Sequence, residues 1–156
     1  MMMKDLAHNV LVGTSIVPAS QNATVTGSVV DMALLAGGAV PNAAMAVIPV
    51  GVETTKDVSN YFTLKVQVGD KADGSDMADA TQYGVIREDG VAWDGNTDGV
   101  AGNGKASVSY QIGFQVDGHR YARVVGTMTG TSVVVFGGLI VTLSEPHAPN
   151  TNPKAA

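Results

Sequence analysis

From residue 61 to 69 the chain reads Y-F-T-L-K-V-Q-V-G, with Phe62, Leu64, Val66 and Val68 on one face and Thr63, Lys65 and Gln67 on the other. A period of two over this length predicts a half-buried β-strand with one side on a core. Residues 107–143 carry the same kind of pattern and predict three consecutive antiparallel strands, with turns at Asp117-Gly118 and Thr129-Gly130-Thr131. The apolar positions also select the first turn. A two-residue loop would set Ile112 against Arg123. A three-residue loop over 116–118, with Gly118 left-handed, pairs Ile112 with Ala122 and Tyr110 with Val124, and leaves Gln111, Gln115, His119, Tyr121 and Arg123 on the opposite face. Because a slip of one residue turns every side chain over, the three-residue loop is the expectation. The third strand is apolar on both faces: Val133, Val135, Leu139 and Val141 on one, Val134, Phe136 and Ile140 on the other. Such a strand is either covered twice within the fold or lies at an interface.

Elsewhere the pattern is shorter. Residues 10–17 form a candidate strand that Pro18 is expected to end, and residues 23–31 alternate as a half-buried strand. Residues 32–38 suit one short helical turn, stopped by Gly37-Gly38. Residues 43–52 form a further strand in which Pro49 points to a sheet edge or a bulge. Residues 70–79 make an acidic turn region, residues 82–87 a short strand, and residues 87–105 a long Gly-rich loop of the kind that is functional or mobile in compact domains. About seven or eight short antiparallel strands with turn signals between them predict an all-β fold: a single β-sandwich, jelly-roll or Ig-like in topology. The domain plan is an extended N-terminal segment over 1–9, the sandwich over 10–145 with its long loop at 87–105, and an extended polar tail over 146–156.

Composition supports this picture and removes several function classes. The chain has 156 residues, 19 glycines and only 15% charged residues, a mixture that suits strands and turns in one domain. A net charge of −5 leaves no basic patch for phosphates, so no nucleic-acid partner is expected. With no cysteine, disulfides, thiolate metal sites and cysteine nucleophiles are excluded. No ordinary signal peptide and no run of transmembrane length is read, so the expectation is a soluble chain made in a host cytoplasm, without a membrane partner.

Chemistry is sparse. Asp94-Gly95-Asn96-Thr97-Asp98-Gly99 matches the first half of a calcium loop, with Asp94, Asn96 and Asp98 as ligands, but Lys105 stands where the bidentate glutamate belongs. A polar turn cluster is the plainer reading, and the same holds for Asp70, Asp73, Asp76 and Asp79. The three histidines, His8, His119 and His147, are scattered and match no catalytic or zinc spacing, so neither an enzyme nor a cofactor is expected. Trp93 with Tyr61, Tyr83, Tyr110 and Tyr121 offers the material of a sugar-stacking platform, which makes a carbohydrate-binding module the alternative.

Several short stretches resemble a family. Met3-Lys4-Asp5-Leu6 with Asn9, Ala23-Thr24-Val25-Thr26-Gly27 followed by Val29, Val30 and Asp31, Arg120-Tyr121-Ala122-Arg123-Val124-Val125, Thr129-Gly130-Thr131 and the closing Pro146-His147 are similar to small virion proteins of tailed bacteriophages encoded beside the major capsid protein. The loop over 87–105 is longer than that family's. The resemblance implies a head decoration or cement protein on the outer surface of the capsid, with the major capsid protein as partner and no catalytic residue. A phage tail or adhesin domain is the further alternative. The expected contacts are Met3, Lys4 and Leu6 in the N-terminal segment, Pro146, His147 and Pro149 in the tail, and Val134, Phe136 and Ile140 on the doubly apolar strand. A homo-oligomer is expected, a trimer in preference to a dimer.

Overall fold

The computed structural model describes residues 10–36, 38–53, 59–87, 92–93, 108–131 and 133–143. The calcium-like residues Asp94, Asn96 and Asp98, most of the loop over 87–105, and both terminal segments lie outside them. So do Met3, Lys4, Leu6, Pro146, His147 and Pro149.

Two antiparallel sheets pack face to face as a β-sandwich. One has six strands in the order β1 (Val10–Gln21), β11 (Val134–Leu143), β4 (Ala43–Glu53), β9 (Val108–Gln115), β7 (Gln82–Arg87) and β8 (Ala92–Trp93). The other runs β2 (Val25–Thr26), β10 (Tyr121–Thr129), β5 (Tyr61–Gly69) and β6 (Ala78–Asp79), with β3 (Val30–Asp31) also pairing β10. The described helix, α1 (Met32–Leu35), is a single turn capped by Asp31, whose carboxylate accepts the Leu34 N–H at 3.0 Å. It is far too short to cross a membrane.

The alternation seen in sequence becomes the core. From β5, Phe62, Leu64, Val66 and Val68 are buried; from β9, Tyr110, Ile112 and Phe114; from β10, Ala122 and Val124. Phe62 joins the sheets through its aromatic neighbours. Its ring stacks on Phe136 at 6.0 Å and meets Tyr110 edge-on at 6.4 Å, both on the opposite sheet.

The inward residues of β9 and β10 are those expected, but their pairing is not. β9 and β10 do not form a hairpin. β9 pairs β4 and β7, whereas β10 pairs β5 in the other sheet, so Ile112 and Ala122 reach one core from opposite sides. The turn between them is a two-residue one, not the three-residue loop. Asp117 and Gly118 both have positive φ, 51° and 83°, and the His119 N–H donates to Val116 O at 2.9 Å. A hairpin and a chain that folds over between sheets present the same residues inward, so alternation alone cannot tell them apart.

The doubly apolar strand requires a second correction. β11 lies between β1 and β4, and Val134, Phe136 and Ile140 are 0%, 1% and 0% exposed in the core. They are no interface with another chain. The opposite face of the strand turns outward, with Val135 41% exposed.

Proline effects follow strand position. β1 continues through Pro18 to Gln21, because it is an edge strand where a missing N–H leaves no partner unsatisfied, and its register shifts between Ile16 and Ala19. Pro49 sits in a central strand, not at an edge, and the neighbouring register of β11 shifts opposite residues 50–53. The strand expected over 23–31 is divided into β2 and β3 where β1 presses in. There the Val124 N–H donates to Ser15 Oγ at 2.9 Å, Ser15 Oγ donates to Ser28 O at 2.8 Å, and the Ser28 N–H donates to Ser15 O at 2.7 Å.

Two substitutions test this packing. A Cβ at Gly126 would fall 2.5 Å from Phe136 Cζ, in a ring held by Phe62, so Gly126→Ala is expected to lower stability in urea unfolding by about 1–3 kcal/mol. Gly113→Ala, where the nearest atom is Tyr83 Cδ2 at 3.5 Å, serves as the neutral control. Ser15→Ala leaves the buried Val124 N–H without its acceptor and is expected to cost about 1–3 kcal/mol by the same measurement.

Candidate interaction surface

The two sheets differ on their outer faces. Outside the five-stranded sheet, polar and charged side chains are paired with one another. Lys65 Nζ lies 2.8 Å from Asp79 Oδ1, the Gln67 amide donates to Asp79 at 2.8 Å, and Arg123 Nε donates to Gln67 at 2.9 Å. At one end of the sheet Arg120 grips Asp31 through Nε and Nη2, the latter at 2.7 Å, with its guanidinium 5.4 Å from the Tyr121 ring centre. Two of the stretches quoted from the sequence, 23–31 and 120–125, are therefore neighbours, with Tyr121 opposite Asp31 and Val125 opposite Thr26.

The acidic turn is built from local contacts. Asp76 accepts the N–H groups of Asp70 and Lys71, Asp73 accepts that of Ser75, and His119 Nδ1 sits 3.1 Å from Asp70. Gly74, with φ of 69°, lets this turn fold down against Val29 and Arg123. Among the described residues no three His, Asp or Glu side chains converge as a metal site would need. The aromatic residues are also dispersed. Tyr110 is core, Tyr121 lies beside Arg120, and Tyr83 is exposed by itself on β7, while the side chains of Tyr61 and Trp93 lie outside the described residues.

The outer face of the six-stranded sheet is different. Its rows run Val12–Val141–Met45–Gly113 and Thr14–Leu139–Val47–Gln111 across β1, β11, β4 and β9. No outward position in that block, from residue 10 to 14, 135 to 141, 45 to 51 or 109 to 115, is charged. Val12 is 52% exposed and Val135 41%. An uncharged sheet surface with exposed Val12 and Val135, interspersed with Thr14, Ser109, Gln111 and Gln115, is a candidate contact surface. Sequence reasoning chose the wrong side of β11 and missed this one. The available signal was the absence of charge at outward positions of four separate strands, which becomes visible only once they are set side by side.

The ion pairs make an acid limit. Hydrogen bonds from Arg120 hold the Asp31 carboxyl below its ordinary value, with the Leu34 N–H helping, and those from Lys65 and then Gln67 do the same for Asp79. A depressed carboxylate stabilises the fold above its unfolded value of ~3.9 and loses that contribution as pH falls through its folded value. The urea midpoint is thus expected to hold at neutral pH and to drop below about pH 4, with the paired Asp31→Asn and Asp79→Asn variant showing a smaller drop. An equal drop in that variant would place the acid sensitivity elsewhere.

Compared with known proteins, the chain matches no family model and no curated protein. Among solved structures it is similar to the crystal structure of the SPBc2 prophage-derived protein YomS, at a TM-score of 0.41 and 11% identity, covering 86% of this chain and 94% of that one. A likeness this distant transfers no function.

Proposed function

We propose that the chain is a structural protein of a tailed-phage particle, a decoration protein that binds the outer surface of the head and bridges major capsid subunits. The reading starts from the resemblance of residues 3–9, 23–31, 120–125 and 146–147 to small virion proteins. The observation that carries the mechanism is the pairing of Val10 with Leu143. The first and last residues of the sandwich stand side by side, so the segments over 1–9 and 144–156 both start from one end of the domain. Two polar arms from one end can grip a neighbouring subunit together. Met3, Lys4 and Leu6 on one arm and Pro146, His147 and Pro149 on the other are the proposed contacts.

This role asks for no catalysis, cofactor or metal. Without disulfides, cementing has to come from buried area, about 1,600 Å² for a standard interface. Sites repeated over a symmetric shell then add the grip of many weak contacts. The protein would be made in the host cytoplasm and reside on the outside of the virion.

Truncation tests the proposal. Chains lacking residues 1–9 or 147–156 are expected to keep the circular dichroism spectrum of the full chain. Their retention on heads assembled from a tailed-phage major capsid protein that the full chain binds is expected to fall at least tenfold, the larger loss coming when both arms are removed. If the doubly truncated chain stays on heads as tightly as the intact one, the clamp is wrong.

A further inference from the structure

We infer that the uncharged block of outward positions on β1, β11, β4 and β9 is a self-association surface, on which a second copy of this chain docks about a twofold axis. The inference is independent of the phage reading and concerns the purified chain in solution.

The choice of a second copy rests on charge, shape and area. Each chain carries a net charge of −5, so two copies repel unless they meet where charge is missing. At a twofold contact each surface meets itself, and any charged side chain near the axis would face its own duplicate. The outer face of the five-stranded sheet fails this condition, since Lys65, Asp79 and Arg123 would each oppose like charge or have to leave their present partners. The described block on the outer face of the six-stranded sheet meets it, because none of its outward positions within residues 10–14, 135–141, 45–51 and 109–115 is charged. Gly51, Gly113 and Gly137 add no side chain of their own to it, and Val135, Tyr83 and Pro18 lie over those positions.

Symmetry then decides between a dimer and the trimer expected from sequence. A trimer needs two different complementary surfaces on every copy, whereas a twofold dimer needs one surface that fits itself. Among the described outward positions, this block is free of charge and the outer face of the five-stranded sheet is not.

Area sets the strength. Four strands at ~4.8 Å spacing and six residues at ~3.3 Å rise give a block of roughly 400 Å² per copy. A pair would bury about 800 Å² of flat sheet, below the ~1,200 Å² at which standard interfaces begin. The dimer is therefore a weak and reversible one, populated at high micromolar to millimolar chain and absent at low micromolar.

Sedimentation equilibrium of the full chain tests this. The average mass is expected to rise with concentration from 15.9 kDa toward twice that value and no further. Added sulfate is expected to tighten the dimer, as it does apolar contacts generally. Val12→Lys and Val135→Lys place charges at already exposed positions, so both variants should fold, and each is expected to weaken the dimer at least tenfold. Thr127→Lys, outside the other sheet, should leave it unchanged. Three results would overturn the inference: a monomer at every concentration, a trimer, or a dimer equally tight with both lysines in place. The first of these reads the unmodified chain, so the test stands even if a variant fails to fold.

Discussion

Phe136 has room for its ring only because Gly126, on the facing sheet, has no side chain. The close approach of the two sheets depends on this fit. With the ring seated over Gly126, Phe62 can stack on one side and bring Tyr110 edge-on, so one residue from β5 and two from the opposite sheet lock together. The same economy recurs at Gly138, where an added Cβ would meet the Val124 side chain at 3.1 Å. Dense interiors of this kind tolerate little change of volume, and the absence of a side chain at such points is as specific as its presence elsewhere.

The inside of the molecule was largely legible in the sequence. The strand over 61–69 was readable residue by residue, because apolar and polar positions alternate without a break and one side is strictly apolar. The short helical turn after Asp31 was equally plain. What could not be read was the neighbour of each strand. Alternation records which side of a strand faces the core, and it contains nothing about which strand lies alongside, so β9 and β10 looked like a hairpin. β11 posed a harder case. With apolar residues on both faces and no charge on either, parity could not say which face was core, and Val134, Phe136 and Ile140 were placed outside when they are the inside. Pro18 misled for a related reason: its effect depends on whether the strand is at an edge, and that is a fact about the sheet.

The candidate surface was legible only in fragments. Each of its strands contributes two or three outward Val, Met, Leu, Thr or Gln residues, unremarkable alone. Set next to each other by long-range pairing, they make a single face from which charge is missing, while the opposite side of the sandwich gathers the paired ions of Lys65, Asp79 and Arg123. One side of the sandwich thus gathers paired ions while the described block on the other has none, and the difference arises from tertiary arrangement, not from any local motif.

The pairing of β1 with β11 has a consequence for how the protein comes into being. β1 lies against β11, with Val10 opposite Leu143, and the central strand β4 also waits for β11. Until residue 143 has emerged, the six-stranded sheet lacks the strand that joins its edge to its middle, and Phe62 lacks the ring on which it stacks. Contacts so distant along the chain make for slow folding and leave unpaired strand edges exposed in the meantime. The six-stranded sheet accordingly closes only when residues far apart in the chain are both available, and its apolar strands stay uncovered until then.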